Sequence, residues 1–253
     1  MSTAHGVRVN GKQHGKWTHY DETGKLSAIR FYRDGRRHGV WTEFFSSGKK
    51  RHERPWGNGR RIGTWKEWHP NGNLKTKGSY DKDKRIGLWV DWHPWGQIRM
   101  HSPYKNNLLH GLRKVWDTRG KLVKTVVFLK GLRQGRFWSV KDGYKVEAVY
   151  HRGYLSGIKR RWHSNKKLRT EIACYRGLRH GLAREWNAKG LLVKRLRYVN
   201  AKLHGLSESW YDNGKLRKRG NYRKGRKLGE WKQYAQDGSL LSTHHYQGER
   251  DPR

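Results

Sequence analysis

Residues 63–86 read GTWKEWHPNGNLKTKGSYDKDKRI, and these positions decide the fold. Gly63 is followed two residues later by Trp65 and five later by Trp68, which marks a short strand carrying aromatic side chains. Pro70-Asn71-Gly72 then supplies turn chemistry. Proline presets φ for the first turn position, and glycine takes the left-handed conformation that ends a three-residue hairpin loop. Leu74 and Tyr80 mark a returning strand, and the charged run Asp81 to Arg85 leads to Gly87, where the pattern starts again. The unit predicts a β-hairpin plus a second turn.

The same template places an opening glycine at Gly15, Gly39, Gly63, Gly87, Gly111, Gly135, Gly157, Gly181, Gly205 and Gly229, a step of 24 residues except for 22 between Gly135 and Gly157. Five residues after the glycine stand Tyr20, Phe44, Trp68, Trp92, Trp116, Trp162, Trp186, Trp210 and Tyr234, with Val140 breaking the series. Nine residues after it comes a turn glycine in all units but the sixth and seventh. Seventeen after it come Tyr32, Trp56, Tyr80, Tyr104, Phe128, Tyr198, Tyr222 and Tyr246, with Tyr150 and Tyr175 nearby where the register slips. Self-similarity at a fixed period is the signature of a repeat architecture.

The pattern G-x-W-x-x-[YW]-x-x-x-G-x-L, as in Gly229, Trp231, Tyr234, Gly238 and Leu240, resembles the MORN repeat (membrane occupation and recognition nexus), in its 22-to-24-residue variant form. The resemblance runs from a half-unit at Val7–Gly11 to Tyr246. It implies an all-β, elongated, single-layer array of about ten antiparallel hairpins, non-catalytic by itself. Members of that family are lipid-binding modules, assembly scaffolds or antitoxin components, so the resemblance fixes architecture more than role.

Composition agrees with a thin array. Only 33% of the chain is hydrophobic, little for a thick two-layer core, yet 14 Trp and 13 Tyr recur at fixed positions, which disordered sequence does not do. Rings stacked between neighbouring units are expected to hold the slab together. Residues 1–14 read as a tail and half-repeat, 15–246 as the array and 247–253 as a polar tail. The array is irregular around 135–168: the sixth unit is two residues short and Lys166 stands where the seventh unit's turn glycine belongs. A bend or a partner-contact notch is expected around 138–168; simple drift in a tolerant repeat is the other reading.

Lys and Arg number 58 against 20 Asp and Glu, a formal net charge of +38, and such a surface attracts polyanions. The basic residues before the repeat glycines, Arg36-Arg37, Arg60-Arg61, Lys84-Arg85 and Arg226-Lys227, with Arg133 and Arg179 as single members, occupy the same turn of successive units. At two strands per unit they would recur every 10 Å or so along one edge. A charge-rich turn is otherwise a solvated loop. Trp95 and Trp138, off the main template positions, are the candidates for stacking on a ligand such as an unpaired base.

Chemistry beyond binding finds little support. His14, His38, His110, His180 and His204 each precede a repeat glycine, so neighbours would lie about 10 Å apart, too far to share one metal ion. Glu43, Glu67, Asp91 and Glu185 recur four residues after the glycine, as cross-strand ion-pair partners do. No nucleophile stands with a base, and no cofactor or metal is expected. Cys174 is the single cysteine, which suits a reducing compartment. The N-terminus lacks an apolar signal region and no stretch is long enough to span a membrane, so an intracellular protein, soluble or assembly-bound in cytoplasm or virion, is expected.

Three partner classes remain open: a polyanion such as nucleic acid, a ribonucleoprotein or a virion assembly; an acidic protein masked in the manner of an antitoxin; and anionic lipid, least favoured because no amphipathic helix or lipidation motif adds anchoring. Open sheet edges also leave room for end-to-end self-association.

Overall fold

The computed structural model of the chain describes residues 2–247. Of the polar tail expected at 247–253, only Gln247 falls within them. The described residues form 25 strands and no helix, and neighbouring strands pair antiparallel. Contacts divide the chain into two compact units, Met1–Leu132 and Arg133–Arg253. Each is a succession of hairpins in a single layer.

The 63–86 stretch behaves as its sequence predicts. Gly63–Trp68 pairs with Leu74–Asp81 from Gly63 opposite Tyr80 to Trp68 opposite Leu74, and the next opening strand, Lys84–Trp92, pairs back onto Leu74–Asp81. The N-terminal strand Thr3–Val9 occupies the place of a return strand. It pairs with Lys12–Tyr20, and its outer edge meets no other strand among the described residues.

The opening glycine has a role that its spacing alone does not reveal. All ten take a left-handed φ, from 60° at Gly63 to 110° at Gly111. They stand where the pairing with the preceding return strand slips, as between Ile29 and Phe31 opposite the Gly39 segment. The glycine is the left-handed residue of a β-bulge, which a side chain would strain. The second turn is a two-residue loop with both residues left-handed, as at Asp34-Gly35, Asn106-Asn107 and Arg176-Gly177. That conformation matches the twist of tight hairpins.

Irregular units keep this scheme. In the sixth hairpin Leu132–Lys141 and Tyr144–His151 pair in unbroken register from Gly135 opposite Tyr150 to Lys141 opposite Tyr144. The other first-turn hairpins carry a register shift before their turn, and the two missing residues remove it. In the seventh, Lys166 takes the turn glycine's place at φ 68°.

The core is as thin as the composition implies. No large side chain among the described residues is withdrawn completely from solvent, and the most buried large apolar ones are rings: Trp17, Trp41, Trp89, Trp231, Tyr80 and Tyr198, each no more than 9% exposed.

Candidate functional site

Consecutive second turns are tied together by backbone hydrogen bonds, and this stacking sets the candidate edge. In the first unit the Gly35, Gly59, Asp83, Asn107 and Gly131 amides donate to the carbonyls of Gln13, Arg37, Arg61, Arg85 and Leu109 at 2.8–3.0 Å. In the second, Gly153, Gly177, Ala201 and Gly225 donate to Arg133, Leu155, Arg179 and Leu203 at 2.8 Å. Each turn therefore lies directly beside the next.

Strand alternation splits each basic pair between the two faces of the layer. The second members lie over aromatic rings. Arg37 sits 4.8 Å from the Trp41 ring centre and 4.6 Å from that of Trp56; Arg61 sits 4.5 Å from Tyr80; Arg85 sits 4.7 Å from Trp89 and 5.4 Å from Tyr104. In the second unit Arg133 lies over Tyr150, Arg179 over Tyr198, and Lys227 over Trp231 and Tyr246. The first members, Arg36, Arg60, Lys84 and Arg226, stand opposite Arg33, Gly57, Asp81 and Arg223 on the other face and are exposed.

The rings form a continuous ladder in the first unit: Trp17, Tyr32, Trp41, Trp56, Trp65, Tyr80, Trp89 and Tyr104, with centres 4.8–6.3 Å apart. It uses the positions two and seventeen residues after the repeat glycine. The position five residues after it, the most regular aromatic series in the sequence, lies outside these ring pairs. Its side chains meet other groups, as Trp116 meets His101 and Trp162 meets Lys145. Sequence reasoning also missed Gly6, Gly78 and Gly220. A Cβ at these positions would stand 2.0–2.3 Å from Trp17, Trp89 and Trp231, so the backbone itself forms the ring's seat. Where the seat is not glycine, Arg30 and Arg54 lie over Trp41 and Trp65 instead.

Arg30, Arg37 and Arg54 share a groove of about 440 Å³ with Tyr32, Trp41 and Trp56, and Glu43 is the one carboxylate in its lining. Glu43 lies 3.9 Å from Arg30, 3.8 Å from Arg54 and 2.9 Å from the buried His52, whose other ring nitrogen is 3.5 Å from Glu67. Burial alone would raise the Glu43 carboxyl's pKa. The His52 hydrogen bond and the Arg54, His52 and Arg30 charges outweigh it and hold the group below its ordinary value. Glu67 is held low in the same way by Lys75 and His52 against its burial. Asp91 and Glu185 lie near Arg99 and Lys194 at 3.8 and 3.6 Å. Among the second members, Arg61 also meets a carboxylate, Asp83, at 3.1 Å.

Trp95 is 53% exposed and stacks on His93 with centres 4.8 Å apart and planes 3° from parallel. Trp138 is half-buried in mid-strand opposite Glu147. Of the histidines before repeat glycines, His14 approaches Asp34 at 3.5 Å and His180 approaches Asn200 at 3.4 Å. The described residues hold no group of three His, Cys, Asp or Glu placed to bind a metal ion. No helix among them is long and apolar enough to cross a membrane.

The MORN repeat variant profile matches residues 13–34, 37–58, 61–82, 203–224 and 227–247. The chain carries variant MORN repeats in these five segments. Comparison with curated proteins finds no match to it. The matched MORN segments are the first three and last two units. Of the five units between, the fourth keeps Trp89, and the others keep the same hairpins and turn stacking but carry Arg113, Phe137, Lys159 and Ala183 where the ladder has Trp, as the matched ninth unit carries Ser207. MORN repeats make the chain a repeat scaffold or binding module.

Proposed function

We propose that the chain is a non-catalytic scaffold that lies along a linear polyanion, nucleic acid or a nucleic-acid-rich assembly, through the turn edge of its MORN repeats. The observation that carries this reading is the stacking of the turns. Hydrogen bonds of 2.8–3.0 Å hold successive turns side by side, and these turns carry Arg36-Arg37, Arg60-Arg61 and Lys84-Arg85. Glu43, Glu53, Glu67 and Asp91 lie in mid-strand and meet cations there, whereas of the turn residues Asp34, Asp81 and Asp83 it is Asp83 that pairs with a member of the basic series, Arg61 at 3.1 Å. Guanidiniums held over rings lose little further freedom when they meet a phosphate, and each exposed partner adds a second cation to the same turn.

The test is the salt dependence of binding to a DNA or RNA oligomer longer than the basic segment. With about eight phosphates neutralised, affinity falls roughly a thousandfold or more between about 50 and 200 mM salt. The triple substitution R36S/R60S/K84S, which spares the rings, lowers the log–log slope by about 2.7 if each cation meets one phosphate. A flat salt response, or an unchanged slope in the triple variant, refutes the reading.

A further inference from the structure

The basic character of the turn edge stops in part of the array. In the first unit the two residues flanking the second turns are Val9 and Lys12, Arg33 and Arg36, Gly57 and Arg60, then Asp81 and Lys84, after which exposed leucines enter with Lys105 and Leu108 and with Leu129 and Leu132. In the second unit the same places hold His151 and Tyr154, Tyr175 and Leu178, then Val199 and Lys202, before the basic pair returns with Arg223 and Arg226. Tyr154 is 61% exposed, Tyr175 55%, Leu178 48% and Val199 37%. Paired residues of an antiparallel hairpin point to one face, so each pair presents both side chains together.

The turns stack, and a Cβ on Gly177 would lie 3.9 Å from the Tyr154 ring, so Tyr154 lies against the next turn, that of Tyr175 and Leu178. The apolar side chains thus form one row. Leu178 neighbours Arg179, whose guanidinium lies over Tyr198, so alternation puts the row on the face opposite that ring contact. The turn tips beside the row are Arg152-Gly153, Arg176-Gly177 and Asn200-Ala201, and the Arg176 guanidinium is 5.5 Å from the Tyr175 ring. No Asp or Glu occurs in residues 150–156, 174–180 or 198–204.

We propose that this row docks an acidic amphipathic segment of another protein. Its apolar side chains would cover Tyr154, Tyr175 and Leu178, while its carboxylates meet Arg152, Arg176 and Lys202. Charge complementarity chooses the occupant. A second copy of the chain brings a net charge of +38 to a surface without acidic residues. Nucleic acid could stack on Tyr154 and Tyr175 but gains nothing from Leu178 and Val199 in the same row. A bilayer would meet the charged tips Arg152 and Arg176 first, with the apolar side chains set one residue back. Turns recur every 10 Å or so, which a segment in the polyproline II conformation matches, since it rises about 9.3 Å per three-residue turn and keeps every third side chain on one side. The inference stands apart from the polyanion reading, since it uses other residues and another chemistry.

The probe is a labelled 15-residue peptide of Leu-Glu-Glu repeats, compared with its Ser-Glu-Glu counterpart of equal charge, binding to the full chain in 150 mM salt. Covering two or three exposed side chains makes the leucine peptide tighter by tenfold or more. In Y154S/L178S that preference disappears while affinity for a DNA oligomer stays the same, which separates this site from the polyanion edge. The single variant L178S, with the preference reduced, serves should the double variant lose its fold by circular dichroism. Equal affinity for the two peptides, or a preference that survives both variants, overturns the proposal. So does a loss in Y154S/L178S of sedimentation with phosphatidylserine vesicles while the peptide preference stays intact, because the row would then be a membrane contact.

Discussion

Replacing Gly78 by alanine tests whether the backbone seats the Trp ladder. The added Cβ would stand 2.0 Å from Cδ2 of Trp89, 2.2 Å from Cε2 and 2.5 Å from Cε3, closer than any van der Waals contact. Trp89 cannot swing away freely. It is 9% exposed and lies between Tyr80 and Tyr104, with ring centres 5.1 and 6.2 Å away, under the Arg85 guanidinium at 4.7 Å. Gly78 itself is not in the left-handed region, so on backbone grounds alone alanine would stabilise by about 0.4–1 kcal/mol through the unfolded chain. Forcing a methyl group into packed surroundings costs about 1–3 kcal/mol. The net expectation is a loss of about 1–2 kcal/mol, and the sign carries the argument. Urea unfolding followed by tryptophan fluorescence measures it, with a second comparison in a Trp89→Ala background, where the seat is empty and Gly78→Ala becomes neutral or stabilising. A stable Gly78→Ala protein, or an equal penalty with and without Trp89, refutes the seating of the ring by glycine.

Three further outcomes follow from the same geometry. Trp41→Ala, which removes an 8%-exposed ring touching Tyr32 and Trp56, costs about 3–5 kcal/mol in denaturant unfolding, whereas Trp95→Ala at a 53%-exposed ring stays within about 0.5 kcal/mol of the parent. Lys166→Gly relieves a left-handed lysine at φ 68° and stabilises by up to about 1 kcal/mol, read as a higher melting temperature. Glu43, Glu53 and Glu67 have folded-state pKa values below their ordinary 4.5. Their contribution is therefore complete above that pH and is lost as pH falls through the folded values. A melting series from pH 7 to pH 3 shows the decline, and E43Q/E67Q flattens it.

Much of the fold was legible in the chain because the glycine spacing and the turn residues are local signals. Gly72 ends its loop left-handed, and the return strand runs from Leu74 past Tyr80, as Pro70-Asn71-Gly72 implies. What could not be read concerns faces and contacts between units. Trp68 and its equivalents look like the main aromatic series, yet the ring ladder passes through Trp65 and Tyr80, because bulges at the opening glycines and before the first turns decide which rings meet. Arg36-Arg37 reads as one block of charge, but alternation sends its members to opposite faces. Tyr154, Tyr175 and Leu178 are scattered along the sequence, and only stacking of their turns makes them neighbours.

The arginine ladder and the apolar row follow from one constraint of a single-layer sheet. With no second layer to bury against, such a sheet must satisfy both faces with its own side chains or leave them to a partner. On the ladder face, Arg37 and Arg85 cover ring surface with their guanidiniums and keep their charge near solvent. That use ties stability to basic residues at every turn and raises the net charge of the whole chain. Where the first members of the pairs are also basic, as at Arg36, Arg60 and Lys84, no ring contact among the described residues accounts for them, although the Arg60 charge acts on the Asp83 carboxylate. Where Tyr154 and Leu178 stand in the same places, the packing explains them no better. Residues that ring packing does not account for, set side by side by stacked turns, are those on which the two proposals rest: Arg36, Arg60 and Lys84 in the first unit for the polyanion, and Tyr154 and Leu178 in the second for the acidic segment.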